Sequence, residues 1–279
     1  MNESPAATAT TEYIDASSGR LAYRRFGARQ GVPLVLALRF RGTIDHWDPA
    51  LLDLLAAERD VLIFDNVGTG RSTGDAPTTI DGLAAGLLEF VKALALPQVD
   101  LLGWSLGGIA VQAAALQEPG LVRRLVVAGS SPGGGVPGQP SADPRVWQVA
   151  TKQANDDEDF LYLFFPNTPA GRALGLASLR RIDARVLDET HVPVSGAAIA
   201  AQLSIVTSIG SSIWDRMTEL TMPVLVASGA HDVMINAYAS FAMTGVLPDA
   251  KLVLYSDAGH GFLFQHVEDF AREVLAFLR

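Results

Sequence analysis

The chain has 279 residues and a formal net charge of −9, with 49% apolar and 18% charged residues. This balance suits a globular chain with a large buried core and excludes a disordered one, and the lack of any Lys/Arg-rich segment argues against nucleic acid as a partner. There is no cysteine, so neither disulfides nor thiolate metal sites can form, and the cytoplasm is the default compartment.

Residues 1–11 are rich in Ala and Thr, lack the basic start and apolar stretch of a signal peptide, and read as a frayed arm. Apolar runs such as Leu34-Val35-Leu36-Ala37-Leu38 fall far short of the ~20 residues a membrane span needs, so no membrane is expected as a partner. Residues 20–26 and 33–38 read as strands, the second a continuous apolar run of the kind buried on both faces of a sheet. Residues 47–58 have helical spacing, with Leu51, Leu52, Leu54 and Leu55 in an apolar stripe. Residues 60–65 return to a strand, which breaks at the turn-rich Asn66-Val67-Gly68-Thr69-Gly70, and residues 78–96 form a helix closed by Pro97. A short strand over 99–103 runs without a loop into Ser105, and a helix follows it. Further strands are expected at 125–128, 223–227 and 251–255. Strands alternating with helices imply a mostly parallel sheet covered on both faces, the α/β class.

The alternation lapses from residue 133, where Gly133-Gly134-Gly135-Val136-Pro137-Gly138 reads as a hinge, to residue 217. The expected organisation is a core over residues 1–132 and 218–279 with an inserted helical cap over 133–217. The acidic run Asp156-Asp157-Glu158-Asp159 reads as a solvated helix start rather than a metal site, because spaced ligands on a rigid loop are missing.

Gly103-Trp104-Ser105-Leu106-Gly107 fits Gly-x-Ser-x-Gly between a buried strand and a helix, the context of a nucleophile elbow. Glycines are needed on both sides because side chains there would collide with the neighbouring strand and helix. Ser105 then stands at a helix N-terminus, where the Leu106 N–H can donate to a developing oxyanion. A serine hydroxyl needs a base, and the base needs a third group to orient it. Asp232, in Gly229-Ala230-His231-Asp232, and His260, in Asp257-Ala258-Gly259-His260-Gly261, each follow a core strand and complete Ser, Asp and His in the chain order of a hydrolase triad. His46, His191, His231 and His266 share no metal-ligand spacing.

With these residues the chain resembles the α/β-hydrolases, particularly capped esterase- or lactonase-like members related to cofactor-free haloperoxidases. The resemblance covers nearly the whole chain and includes Asp65-Asn66-Val67-Gly68-Thr69-Gly70-Arg71-Ser72, similar to the family's structural Asp-x-x-Gly-x-Gly-x-Ser loop. It implies an eight-stranded-type sheet, no metal or organic cofactor, and a turn-forming rather than catalytic Asp65. The function it implies is hydrolysis of a small-molecule ester or lactone through an acyl-enzyme. A cofactor-free perhydrolase or a carbon–carbon bond hydrolase would use the same triad, and a hydrolase-fold ligand-binding protein with little turnover is the alternative of another class. The oligomeric state is not readable from the sequence.

One departure stands beside the elbow. Where the family commonly carries His-Gly after the third strand, this chain has Leu38-Arg39, followed by Phe40. The Phe40 N–H becomes the candidate second oxyanion donor. Arg39 and Arg41 either recognise an anionic group of the substrate or turn outward onto acids such as Asp45 and Asp48. Trp104, Phe40 and Phe262 are candidates for an apolar substrate pocket, core filling being the alternative. The same two readings apply to Trp147, Phe160, Tyr162, Phe164 and Phe165 in the cap.

Overall fold

The computed structural model describes residues 4–208 and 212–279. A short helix α1 (Pro5–Thr8) precedes the hairpin of β1 (Glu12–Ala16) and β2 (Gly19–Gly27). The chain continues through β3 (Leu34–Ala37), α2 (Pro49–Ala56), β4 (Asp60–Phe64), α3 (Ile80–Ala93), β5 (Val99–Trp104), α4 (Leu106–Gln117) and β6 (Val122–Ala128). Four helices follow before the next strand: α5 (Pro144–Ala150), α6 (Asp157–Phe164), α7 (Pro169–Val186) and α8 (Gly196–Thr207). Then come β7 (Val224–Gly229), α9 (Tyr238–Val246), β8 (Ala250–Tyr255), α10 (Phe262–Gln265) and α11 (Val267–Phe277).

The eight strands form one sheet in the order β1-β2-β4-β3-β5-β6-β7-β8, in which β2 alone runs against the others. This is the mostly parallel eight-stranded layout expected. Side chains alternate across the central strands: Val35, Leu62, Leu101 and Val127 pack on one face with α3 and α4, and Leu34, Ile63, Leu102 and Val126 on the other with α2 and α11. Because the central strands are buried throughout, they read as apolar runs, broken only by Asp60 in β4 and Asp100 in β5, which pair with Arg25 and with Arg59 and Arg123.

Two expectations change. The arm read over residues 1–11 lies outside the described residues for Met1 to Glu3, but beyond them it is ordered. Ser4 caps α1, the Ala6 N–H donates to Asp53 Oδ1 at 2.8 Å, and Arg185 reaches the carbonyls of Ala6 and Ala9. The hairpin strand β1 also escaped the sequence reading, since half-exposed Glu12–Ala16 carries no apolar run. Leu54 is exposed while Leu51, Leu52 and Leu55 are buried, which narrows the predicted stripe of α2.

Between β6 and β7 the described residues hold helices and no strand. The acidic run starts α6, with Asp156 and Asp159 forming a reciprocal capping box. Ion pairs tie this insertion to the sheet: Asp48, at the N-cap of α2, accepts from Arg181 and Ser178 of α7, and Asp45 gathers Arg24, Arg71 and His191. Burial alone would raise Asp45, but hydrogen bonds from His191, Arg71 and Arg24 hold it down at about 2. No helix among the described residues is long and apolar enough to cross a membrane.

Candidate active site

The C-terminal ends of β3, β5, β7 and β8 carry Arg39–Phe40, Ser105, Asp232 and His260 to one edge of the sheet, where ligands of open parallel sheets bind. Ser105 links β5 to α4 with φ 58° and ψ −120°, a conformation that strains any residue but glycine. Its N–H donates to the Ala128 carbonyl at 2.9 Å, and its carbonyl accepts from the Gly108 N–H at 2.8 Å and from Ser130 Oγ at 2.7 Å. The glycines are required by contact. A Cβ at Gly103 would lie 2.2 Å from the Gly107 oxygen, and one at Gly107 would lie 2.1 Å from the Ala37 oxygen.

Asp232 uses both oxygens. Oδ1 accepts from the N–H groups of Met234 and Ile235, each at 2.8 Å, and Oδ2 lies 2.7 Å from His260 Nδ1. The His260 loop is braced by Trp104, whose Nε1 donates to the His260 carbonyl at 3.0 Å, and by Gly261, whose N–H donates to the Phe164 carbonyl at 2.7 Å. His260 is fully buried, and its Nε2 has no hydrogen-bond partner among the described residues. Ser105 and His260 line the same cavity, but the Ser105 hydroxyl makes no hydrogen bond to Nε2 here; such bonds often tighten only around substrate.

The turn after β3 is closed by Gly42 N–H on the Arg39 carbonyl at 3.1 Å, with Arg41 at φ 57°. That unfavourable backbone is held by Gln202 of α8, whose Oε1 accepts from the Arg41 N–H at 2.9 Å. Gln202 thereby positions Phe40, a role that no motif in the sequence signals. The Arg41 guanidinium donates to the carbonyls of Ala150, Lys152 and Gln153, binding the turn to the helical insertion. Neither arginine meets Asp45 or Asp48, so that pairing is corrected: those carboxylates are held by Arg24, Arg71, His191 and Arg181. Arg39 instead lines the cavity with Ser105 and His260, stacked over Phe164 at 5.0 Å and Trp104 at 5.7 Å.

Trp104 and Phe262 require correction as pocket residues. Both are fully buried and line neither cavity at Ser105; Trp104 is packed among Trp47, Phe164 and Phe264, and Phe262 among Tyr255 and Phe270. Aromatic bulk beside a motif is ordinary core filling here. Phe160 and Phe164 do line the cavity with His260, and Trp147 lines a second cavity, which also reaches Ser105 and includes Phe40 and Leu106. These cavities measure about 290 and 360 Å³. An open cleft of about 1010 Å³ beside Asp232 touches neither Ser105 nor His260.

Half-buried His46 and fully buried Asp65, both near the turn, are shifted from their ordinary titration ranges. Burial, with the Arg39 and His191 charges, pushes His46 down to about 3, and its Nδ1 accepts from the Thr43 N–H at 3.1 Å. Asp65 accepts from the N–H groups of Ile44 and Arg71, the turn-forming part expected of it, yet burial outweighs those bonds and pushes it up to about 7. Unfolded His46 takes up a proton near its ordinary 6.5 while the folded ring stays neutral, so its contribution to stability is lost as pH falls from about 6.5 to about 3. Folded Asp65 keeps a proton that the unfolded chain releases near 3.8, so its contribution is lost as pH rises from about 4 to about 7. Each slope is about 1.4 kcal/mol per pH unit, and the two oppose each other between about pH 4 and 6.5. Urea midpoints across that range should therefore fall with pH in His46→Gln and rise with pH in Asp65→Asn, both relative to the wild type. Curves parallel to wild type would refute these environments.

The alpha/beta hydrolase fold family matches residues 40–267. Among solved structures, an alpha/beta hydrolase fold protein from Chitinophaga pinensis superposes with a TM-score of 0.87 and 36% identity, covering 98% of both chains. A non-heme chloroperoxidase of Streptomyces lividans is 28% identical over 95% of this chain and 99% of its own length. The polyketide synthase ThaQ of Burkholderia thailandensis is 27% identical over 98% of this chain, which spans only 13% of that synthase.

Proposed function

The chain belongs to the alpha/beta hydrolase fold family, and on that premise we propose that it is a serine hydrolase cleaving carboxylic esters or lactones through an acyl-enzyme. The observation that carries this reading is the pairing at the sheet edge: a strained Ser105 and a buried His260 share a cavity, with Nδ1 on Asp232 and Nε2 unpartnered. An imidazole fixed this way has one nitrogen left to take a proton.

In the proposed reaction Ser105 Oγ attacks the carbonyl carbon while His260 Nε2 takes the hydroxyl proton, and Asp232 steadies the imidazolium. The N–H groups of Leu106 and Phe40 hold the oxyanion; the first heads α4, and the second sits in the turn that Gln202 pins. His260 then gives its proton to the leaving alcohol, and water releases the acyl group by the same steps in reverse order. Side chains and backbone amides suffice for every step. Residues 133–217 act as the cap that governs entry, since α5, α6 and α7 supply the walls facing Ser105.

A fluorophosphonate probe tests the reading directly. It should label Ser105 stoichiometrically, as mapped by peptide mass spectrometry, and labelling should abolish p-nitrophenyl ester hydrolysis. Unlabelled Ser105 together with no ester turnover would sink the proposal.

A further inference from the structure

Arg39 is a half-buried cation without a counter-ion among the described residues. Its Nη1 donates to the Phe40 carbonyl at 2.8 Å, its Nε is buried with no partner, and no carboxylate pairs with it among the described residues. Burial and the Arg41 charge push the guanidinium down to about 10, with no acid close enough to oppose them. It is still protonated at neutral pH, and a protonated group in such a place is stabilised by any anion that arrives. The aromatic faces of Phe164 and Trp104 fix its plane but do not neutralise it.

The two cavities at Ser105 differ in charge. One holds Arg39, Arg41, His46 and His260 together with Asp156, Asp157 and Asp183. The other holds no charged side chain: Ile109, Val146, Trp147, Ile235 and Leu106 make it an apolar limb, with Ser131, Gln139 and Ser141 its neutral polar groups. Ser105, Phe40 and Met234 belong to both, so the reacting carbon sits where the two limbs meet. The direction of a substrate across that junction follows from proton transfer. The leaving oxygen must receive its proton from His260 Nε2 and therefore departs into the limb that His260 lines. The acyl chain, bonded to Ser105 Oγ with its oxygen on the Leu106 N–H, extends into the apolar limb.

We propose that the preferred substrate is an ester of an apolar acyl group with an alcohol bearing a carboxylate near its hydroxyl, the acyl chain lying beside Val146 and Trp147 and the carboxylate on Arg39. This rests on the serine-hydrolase reading and narrows it. The Ser105 Oγ–carbon bond forms first, giving the oxyanion; its collapse breaks the ester C–O bond while the Ser105 proton, held on His260, passes to the departing hydroxy acid, and water then hydrolyses the acyl-enzyme. Asp156, Asp157 and Asp183 stand on α6 and α7 along the same limb, so a long or multiply charged anion meets repulsion and a compact monoanion does not.

The test uses four esters at matched pH and salt: O-hexanoyl glycolate, its neutral glycolamide counterpart, monoethyl glutarate and ethyl valerate. For the wild type, kcat/KM for the hexanoyl glycolate should exceed that for the glycolamide at least tenfold, while the anionic acyl group of monoethyl glutarate should bring no advantage over ethyl valerate. In Arg39→Gln the glycolate-to-glycolamide ratio should collapse toward one. Calorimetric titration of glycolate into Ser105→Ala should detect binding that the Ser105→Ala, Arg39→Gln double variant lacks. Equal rates on charged and neutral alcohols, a preference that survives Arg39→Gln, a preference for the anion on the acyl side, or no glycolate binding would each overturn the proposal. If no ester is cleaved and the phosphonate leaves Ser105 unlabelled, the hydrolase reading itself has failed, and the glycolate titration still judges the Arg39 site separately.

Discussion

Ser105→Gly should be inactive yet more stable than Ser105→Ala. On the proposed mechanism either variant removes the nucleophile and should lower kcat by about 10⁵-fold or more, because the base and its carboxylate have no role without it. The stabilities should separate because Ser105 is held at φ 58° and ψ −120°, where a Cβ costs about 1–3 kcal/mol and glycine nothing steric. Glycine also loses more freedom on folding, about 0.5–1 kcal/mol, so the net gain should be about 1 kcal/mol, read as a few degrees in Tm. The strain persists because the strand before Ser105 and the helix after it are locked by the Ala128, Gly108 and Ser130 bonds. A Ser105→Gly protein no more stable than Ser105→Ala would mean that the elbow relaxes, and a Ser105→Ala protein that keeps its rate would remove Ser105 from the chemistry.

The elbow was legible in the sequence because its signal is local. A Cβ at Gly103 would lie 2.2 Å from the oxygen of Gly107 in the same motif, and a strand running directly into the motif is visible in the apolar pattern; the Ala37 oxygen that bars a Cβ at Gly107 belongs to β3 and shows only in the fold. The central strands were legible for a related reason, since burial on both faces leaves them apolar apart from the ion-paired Asp60 and Asp100. β1 was not, because an edge strand with one exposed face carries a weak pattern in five residues. The fate of Arg39 depends on who else claims Asp45 and Asp48. Arg24, Arg71, His191 and Arg181 come from segments up to about 150 positions away, and spacing says nothing of them. Trp104 and Phe262 were misplaced because an aromatic within one or two positions of a candidate site residue projects wherever the local backbone sends it, which in both cases is the core. Gln202 carries no signal at all: its value lies in the hydrogen bond that its Oε1 accepts from the Arg41 N–H while its Nε2 donates to Thr69.

Asp232→Asn should separate catalysis from folding at the other end of the site. The wild-type carboxylate does two jobs, Oδ1 on the Met234 and Ile235 N–H groups and Oδ2 on His260 Nδ1. An asparagine that keeps its oxygen on the two backbone donors turns its NH₂ toward Nδ1, and an NH₂ can only donate there. The imidazole must then carry its proton on Nε2, the nitrogen that faces the cavity, and can no longer accept one from Ser105. The expected fall in kcat is about 10⁴-fold, while the retained backbone bonds hold the loss of stability to about 1 kcal/mol. Asp232→Ala gives the contrast, since it leaves both backbone N–H groups without their acceptor and should cost about 1–3 kcal/mol more than the asparagine variant. Rates and urea midpoints measured on the same three proteins decide the matter. A near-normal rate in Asp232→Asn would show that Asp232 only caps its turn, and the carboxylate that orients His260 would have to be sought elsewhere.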